Sequence, residues 1–154
     1  MKRVRMFGVV VIGVTLALAF ARPMEASPQV PPTSEMAADL EAAAGALHHR
    51  ADRWPEAARL YLVAADLRQR EDPEAREDLF RAASLYYAMG RTDEAVAALE
   101  AAGARALSDG NGAEARRMFD RAAWVARDAG LSTHERRLAE RASLVRDAEA
   151  VVRS

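Results

Sequence analysis

The chain contains no cysteine. That excludes disulfides, thiolate nucleophiles, thiolate metal sites and a lipid-modified cysteine after an export signal. Lysine is nearly absent. The single one, Lys2, lies at the N-terminus, so every other basic side chain is arginine. Aromatics make up only 6 % of a chain that is 51 % hydrophobic, so alanine dominates the apolar fraction. An excess of one charge sign is lacking as well: the formal net charge is -1 over 154 residues. Arginines and carboxylates are interleaved in Arg68-Gln69-Arg70-Glu71-Asp72, Arg136-Arg137 and Glu140-Arg141. Mixed charge at helical spacing reads as a solvated face, and it lacks the one-sided basic cluster of a nucleic-acid site. No strand pattern is present, and so no glycine-rich phosphate loop after a strand. The serines lie in the N-terminal segment, in turns or on helix faces without a nearby histidine, which leaves none with a general base. No catalytic constellation, and no cofactor, is expected.

What the chain does have begins with an export segment. Lys2, Arg3 and Arg5 precede an apolar run from Met6 to Phe20, and Ala19-Phe20-Ala21 offers the small residues a signal peptidase reads. Residues 1–21 therefore carry the three-part pattern of a secretory signal peptide, with cleavage expected after Ala21 and a periplasmic or secreted product. The alternative is an uncleaved N-terminal anchor in the inner membrane, although the run is short for a spanning helix. Cleavage removes three positive charges and leaves a mildly acidic chain. Residues 22–33 hold Pro23, Pro28, Pro31 and Pro32 without apolar periodicity, the composition of an extended linker. The arginine- and alanine-rich composition points to a bacterial source.

The remainder is punctuated by Gly90, Gly110 and Gly130, at a spacing of 20 residues. Each ends an apolar-periodic run, as a glycine at φ > 0 does after a helix C-terminus. Each precedes a helix start where Thr92, Asn111 or Ser132 is expected to accept hydrogen bonds from the first turn. Asn111 with Glu114, and Ser132 with Glu135, have capping-box spacing. Asp72-Pro73 and Pro55 write the same signal with proline. The spacing predicts six helices near 34–51, 54–70, 73–89, 92–108, 112–129 and 132–152. Connections so short make neighbours antiparallel. An i, i+4, i+7 triplet recurs: Ala57, Tyr61, Ala64; Ala75, Leu79, Ala82; Ala95, Leu99, Ala102; Ala115, Phe119, Ala122; and, more weakly, Glu135, Ala139, Ala142. The small residues allow close approach, and the large one fills the space between helices. Such self-similarity marks a repeat array, so the fold class is all-α.

These residues resemble the tetratricopeptide repeat, a helical hairpin of about 34 residues. Gly45, His48, Asp52, Trp54, Ala57, Tyr61 and Ala64 follow its small–aromatic–turn–aromatic–Ala–aromatic–Ala spacing. Leu79, Ala82, Ala83, Tyr86, Gly90, Ala95, Leu99 and Ala102 form a second unit. A third lies over Leu99, Ala102, Gly103, Ala106, Gly110, Ala115, Phe119 and Ala122, sharing its first helix with the second unit. The family's tryptophan in the first helix is missing, and its closing proline is displaced to Pro73. The resemblance covers 34–129 and implies an antiparallel hairpin array, an α-solenoid. Residues 130–154 are expected to form a charged capping helix with a thin apolar stripe of Leu138, Ala142 and Val145.

In the resembled family the first helix of each hairpin lines a concave groove. By that register Glu77, Phe80, Ser84 and Tyr87 face it, with Asp39 and His49 as their counterparts in the first unit. A peptide is the implied ligand. The competing reading of the same helix buries Phe80 and Tyr87 in the core with Leu79, Ala83 and Tyr86. Trp54 is expected to pack. Trp124 is either packed on the last helix or an exposed contact. His48 and His49 point about 100° apart on a helix and cannot share one ion, so no metal site is expected. His48 instead fills the aromatic position of the first hairpin.

The expectation is an exported, non-catalytic module that binds a protein or peptide of the cell envelope, not nucleic acid. Membrane contact is expected only if the N-terminal segment stays uncleaved. The alternative is a structural protein that self-associates through its alanine-rich faces and open array end, as a homo-oligomer. A regulatory subunit of an envelope enzyme is the third reading.

Overall fold

A computed structural model describes residues 32–68 and 72–153. The signal segment, and the linker up to residue 31, lie outside the described residues. Within them the chain forms six α-helices and a single 3-10 turn, with no strand. The helices are α1 (Pro32–His48), α2 (Trp54–Leu67), α3 (Pro73–Ala88), α4 (Thr92–Ser108), α5 (Gly112–Asp128) and α6 (Ser132–Arg153), and the 3-10 turn is Ala51–Arg53. Helix α1 takes in Pro32 and Thr33, the last two residues of the expected linker. Proline in a first turn lacks only an N–H that has no partner there anyway, which also suits Pro55 in α2 and Pro73 in α3.

The three glycines act as the spacing predicts. Gly90, Gly110 and Gly130 have φ of 72°, 73° and 72°. Each closes its helix with the same two bonds. After α3, the N–H of Arg91 donates to the Tyr86 carbonyl at 2.8 Å and that of Gly90 to Tyr87 at 2.9 Å. Asn111 and Leu131 repeat the longer bond to Ala106 and Ala126, each at 2.8 Å. The residue after each glycine also opens the next helix, because its carbonyl accepts the first intrahelical bond: Ala95 to Arg91, Ala115 to Asn111, Glu135 to Leu131.

That double duty corrects two expected caps. Thr92 is already inside α4, with Arg91 in the cap position and no side-chain cap bond. Ser132 is likewise inside α6, behind Leu131. Only the middle turn places a capping side chain at the cap, where Asn111 Oδ1 accepts from the Glu114 N–H at 3.1 Å. Upstream, Asp72 Oδ1 caps α3 by accepting from the Glu74 N–H at 2.9 Å.

Each helix packs chiefly on the helices before and after it in the chain. All members of the first four triplets are buried. The fifth is shifted by three residues: Leu138, Ala142 and Val145 are buried, while Ala139 is exposed and Glu135 only half-buried. A helix that packs closely on one neighbour needs a single stripe, and α6 packs chiefly on α5. Side chains then tie alternate helices together. Arg105 Nη1 donates to the Ala65 carbonyl (2.7 Å), joining α4 to α2, and Arg137 Nη2 to Glu100 (2.7 Å), joining α6 to α4.

Arginine also covers the aromatics. Guanidinium groups lie over the rings of Tyr86 (Arg91, 4.8 Å), Phe119 (Arg141, 4.3 Å) and Tyr61 (Arg81, 5.7 Å). A planar, weakly hydrated guanidinium covers more of a ring than a compact ammonium does. One arginine departs from the solvated-face reading. Arg68, directly after α2, is buried and bonds to Asp78, Asp72, Glu74 and Glu41.

Candidate functional site

Because alternate helices lie side by side, α3 and α5 share a face, with α4 beneath. Two adjoining pockets run along it. The first, of 330 Å³, is bordered by Arg76, Glu77 and Phe80 of α3 and by Arg117, Met118 and Arg121 of α5. The second, of 190 Å³, lies between Phe80, Ser84 and Tyr87 of α3 and Arg121 and Trp124 of α5, with Leu99 of α4 at its floor. Phe80 and Arg121 belong to both and form the divide.

The structure thus brings four of the sequence-derived residues together: Glu77, Phe80, Ser84 and Tyr87. The competing core reading separates residue by residue. Leu79, Ala83 and Tyr86 are buried, Phe80 is half-buried, and Tyr87 is 37 % exposed. The α-helical period explains the split, since 79, 83 and 86 lie on one face and 80, 84 and 87 on the next. Asp39 is exposed on α1 and His49 is exposed in the turn after it, and neither lines these pockets. His48 meets the Tyr61 ring edge-on at 6.1 Å. Trp54 is half-buried and its Nε1 donates to the His48 carbonyl at 2.9 Å.

Trp124, left open by the sequence, is 51 % exposed and stands 5.5 Å from the Tyr87 ring. The Tyr87 hydroxyl donates to Asp128 Oδ2 at 2.8 Å, and that bond, retaining the phenolic proton, pushes the Tyr87 pKa up. The Ser84 hydroxyl is turned inward, donating to the Phe80 carbonyl at 2.9 Å.

Electrostatically the groove is nearly self-compensated. Arg76 pairs with Asp109, Arg117 with Glu114, and Glu77 with Arg81. Arg121 differs: its guanidinium lies 4.6 Å over the Phe80 ring, and among the described residues no carboxylate forms an ion pair with it. Arg121 and Trp124 are the site residues that motif matching missed. The 20-residue repeat carried a signal for Trp124, because positions 84 and 124 are equivalent two helices apart.

A third concavity, of 710 Å³, occupies the opposite face between α4, α5 and α6, lined by Leu107, Ala113, Arg116, Leu144, Ala148 and Val152. It obeys the same register, since Leu107 and Leu144 stand 20 residues beyond Tyr87 and Trp124. Among the described residues there is no cluster of three or more histidine or acidic side chains that could hold a metal ion. The α3–α5 groove offers aromatic surface from Phe80, Tyr87 and Trp124 and one guanidinium, that of Arg121, without an ion pair among the described residues. No protein-family model, curated protein or solved structure matches this sequence.

Proposed function

We propose that this chain is an exported, tetratricopeptide-like interaction module that binds a protein or peptide of the cell envelope along the α3–α5 groove. The observation that carries the reading is the pair Tyr87 and Trp124, large aromatics held at the surface beside a pocket. Exposed aromatics next to a concave, partly apolar strip are the anchors around which interfaces form. The packing of each helix on its sequence neighbours supports the repeat-array reading, in which alternate helices present one continuous face. The role is non-catalytic: Tyr87 and Trp124 bury ligand apolar surface, and arginine–carboxylate pairs line the rim. Export through residues 1–21 delivers the module to the envelope. No helix among the described residues is long and apolar enough to cross a membrane, so an anchored form is held by that N-terminal segment.

Panning a library of linear peptides against the purified chain tests the reading. Enriched peptides are expected to bind the intact chain and to lose about tenfold or more in affinity on a Tyr87→Ala, Trp124→Ala double variant. Both side chains are substantially exposed, so the variant is expected to keep its helicity and melting temperature. Absence of enriched peptides, or binding indifferent to the variant, overturns it.

A second reading, self-association, is favoured by one observation: Leu144 and Val152 are 68 % and 87 % exposed beside the apolar concavity of α6. Sedimentation velocity over a wide concentration range separates the two, with Leu144→Glu expected to abolish any dimer formed through that face.

A further inference from the structure

We infer that the α3–α5 groove selects an extended peptide carrying a side-chain carboxylate next to a bulky apolar residue, with Arg121 receiving the carboxylate and the Tyr87–Trp124 pocket receiving the apolar side chain. This rests on the groove reading above and specifies its ligand.

The argument starts from charge. Arg76, Arg117 and Glu77 at the wider end of the groove are already engaged with Asp109, Glu114 and Arg81. What remains uncompensated is Arg121, exposed at the divide between the two pockets. Its guanidinium carbon lies 4.6 Å from the centre of the Phe80 ring. A cation over an aromatic ring engages no hydrogen-bond acceptor, so the N–H donors of the guanidinium stay available. The ring also limits the orientations open to the side chain. A fork of donors held in this way matches the two oxygens of a carboxylate, where a lysine would present only a point charge.

Size and chemistry fix the second half of the ligand. The adjoining pocket has 190 Å³, walled by Tyr87 and Trp124 and floored by Leu99. That space holds one leucine-, methionine- or phenylalanine-sized side chain. The Tyr87 hydroxyl is committed to Asp128 and the Ser84 hydroxyl to a backbone carbonyl, so neither polar group competes for the occupant. Arg121 borders both pockets, which puts the carboxylate within one to three residues of the apolar side chain.

The panned peptides, resynthesised with blocked N-termini and C-terminal amides so that only side chains carry acid, supply the test. The expected result is an Asp or Glu within three positions of a Leu, Met, Phe, Tyr or Trp. Changing that acid to its amide is expected to weaken binding to the intact chain by about tenfold. The same change is expected to have little effect on an Arg121→Gln variant, whose exposed position leaves the fold intact by circular dichroism. If peptides bind through Trp124 but show no acidic preference, or if acid and amide differ equally on both proteins, the carboxylate assignment is overturned while the groove reading stands. If no peptide is enriched, the groove reading itself falls, and this inference with it.

Discussion

At the scale of single residues, the least ordinary group is Asp78. Its side chain is fully buried against Arg68, with Oδ2 accepting from Arg68 Nε at 3.0 Å. Its Oδ1 has no hydrogen-bond partner, and Arg81 Nη1 stands 3.9 Å from it. Burial pushes the Asp78 carboxyl up to about 6, the Arg68 hydrogen bond opposes that, and the neighbouring Glu41 adds to it. Desolvation therefore outweighs pairing, as is common for buried ion pairs. A carboxyl that holds its proton more tightly folded than unfolded stabilises the fold when protonated. That stability is present near pH 4 and is lost as the pH rises through about 6. The difference amounts to roughly 3 kcal/mol. Asp78→Asn cannot ionise, so its stability relative to the parent chain is expected to improve by up to that amount between pH 4 and pH 7. Urea unfolding at the two pH values measures it. A variant that instead loses ground toward neutral pH would show that the charged pair with Arg68 is net stabilising.

At the scale of the helix, the controlling quantity is how closely neighbours approach, and two glycines test it in opposite directions. In α4, a Cβ on Gly103 would meet the Phe119 ring at 2.7, 2.9 and 3.0 Å. Phe119 is fully buried and its ring cannot swing aside. In α1, a Cβ on Gly45 would meet only the Tyr61 hydroxyl, at 3.9 Å. Gly45→Ala is therefore expected to stabilise the chain by about 0.5–1 kcal/mol through helix propensity. Gly103→Ala is expected to destabilise it by about 1–3 kcal/mol despite the same propensity gain. Thermal melting of the two variants checks the pair, and shifts of equal sign would contradict the packing account. This also shows what was legible beforehand. The three turn glycines, the first four triplets and the six helices are local signals, and the chain follows them. The buried state of Arg68 was not legible, because its partners Glu41, Asp72, Glu74 and Asp78 come from three separate elements and sequence spacing shows only a mixed-charge stretch. Thr92 and Ser132 misled for a narrower reason: a three-residue turn makes the residue after glycine the cap, whatever its side chain. The groove was half legible. Helix α3 gave Phe80, Ser84 and Tyr87, but its other wall, Arg121 and Trp124, belongs to a helix that is not its neighbour in sequence and touches it through long-range side-chain contacts.

At the scale of the whole molecule, an array in which each helix packs on its sequence neighbours has a centre and two ends, and stability follows that geometry. The inner helices are packed on both sides. Helix α4 buries Ala95, Val96, Ala98, Leu99, Ala102, Gly103 and Ala106. The outer helices are packed on one side: α6 buries Leu138, Ala142 and Val145, and α1 buries Ala37 and Ala44. Both outer helices are also fastened by ion pairs: Glu41 of α1 pairs with Arg68 and Arg81, and Arg137 and Arg141 of α6 pair with Glu100. Backbone amides exchange through local opening, and each opening costs the contacts it breaks. Native-state hydrogen exchange is accordingly expected to show the strongest protection in α3 and α4 and the weakest in the outer helices α1 and α6. Removing the Glu41 fastening by Glu41→Ala is expected to lower protection in α1 while leaving α6 unchanged, because no contact connects those two ends through Glu41. Uniform protection across all six helices, or an α6 that responds to the α1 substitution, would mean that the array opens as one unit. The α3–α5 groove would then lack what the gradient gives it, a binding face held on the most protected part of the fold.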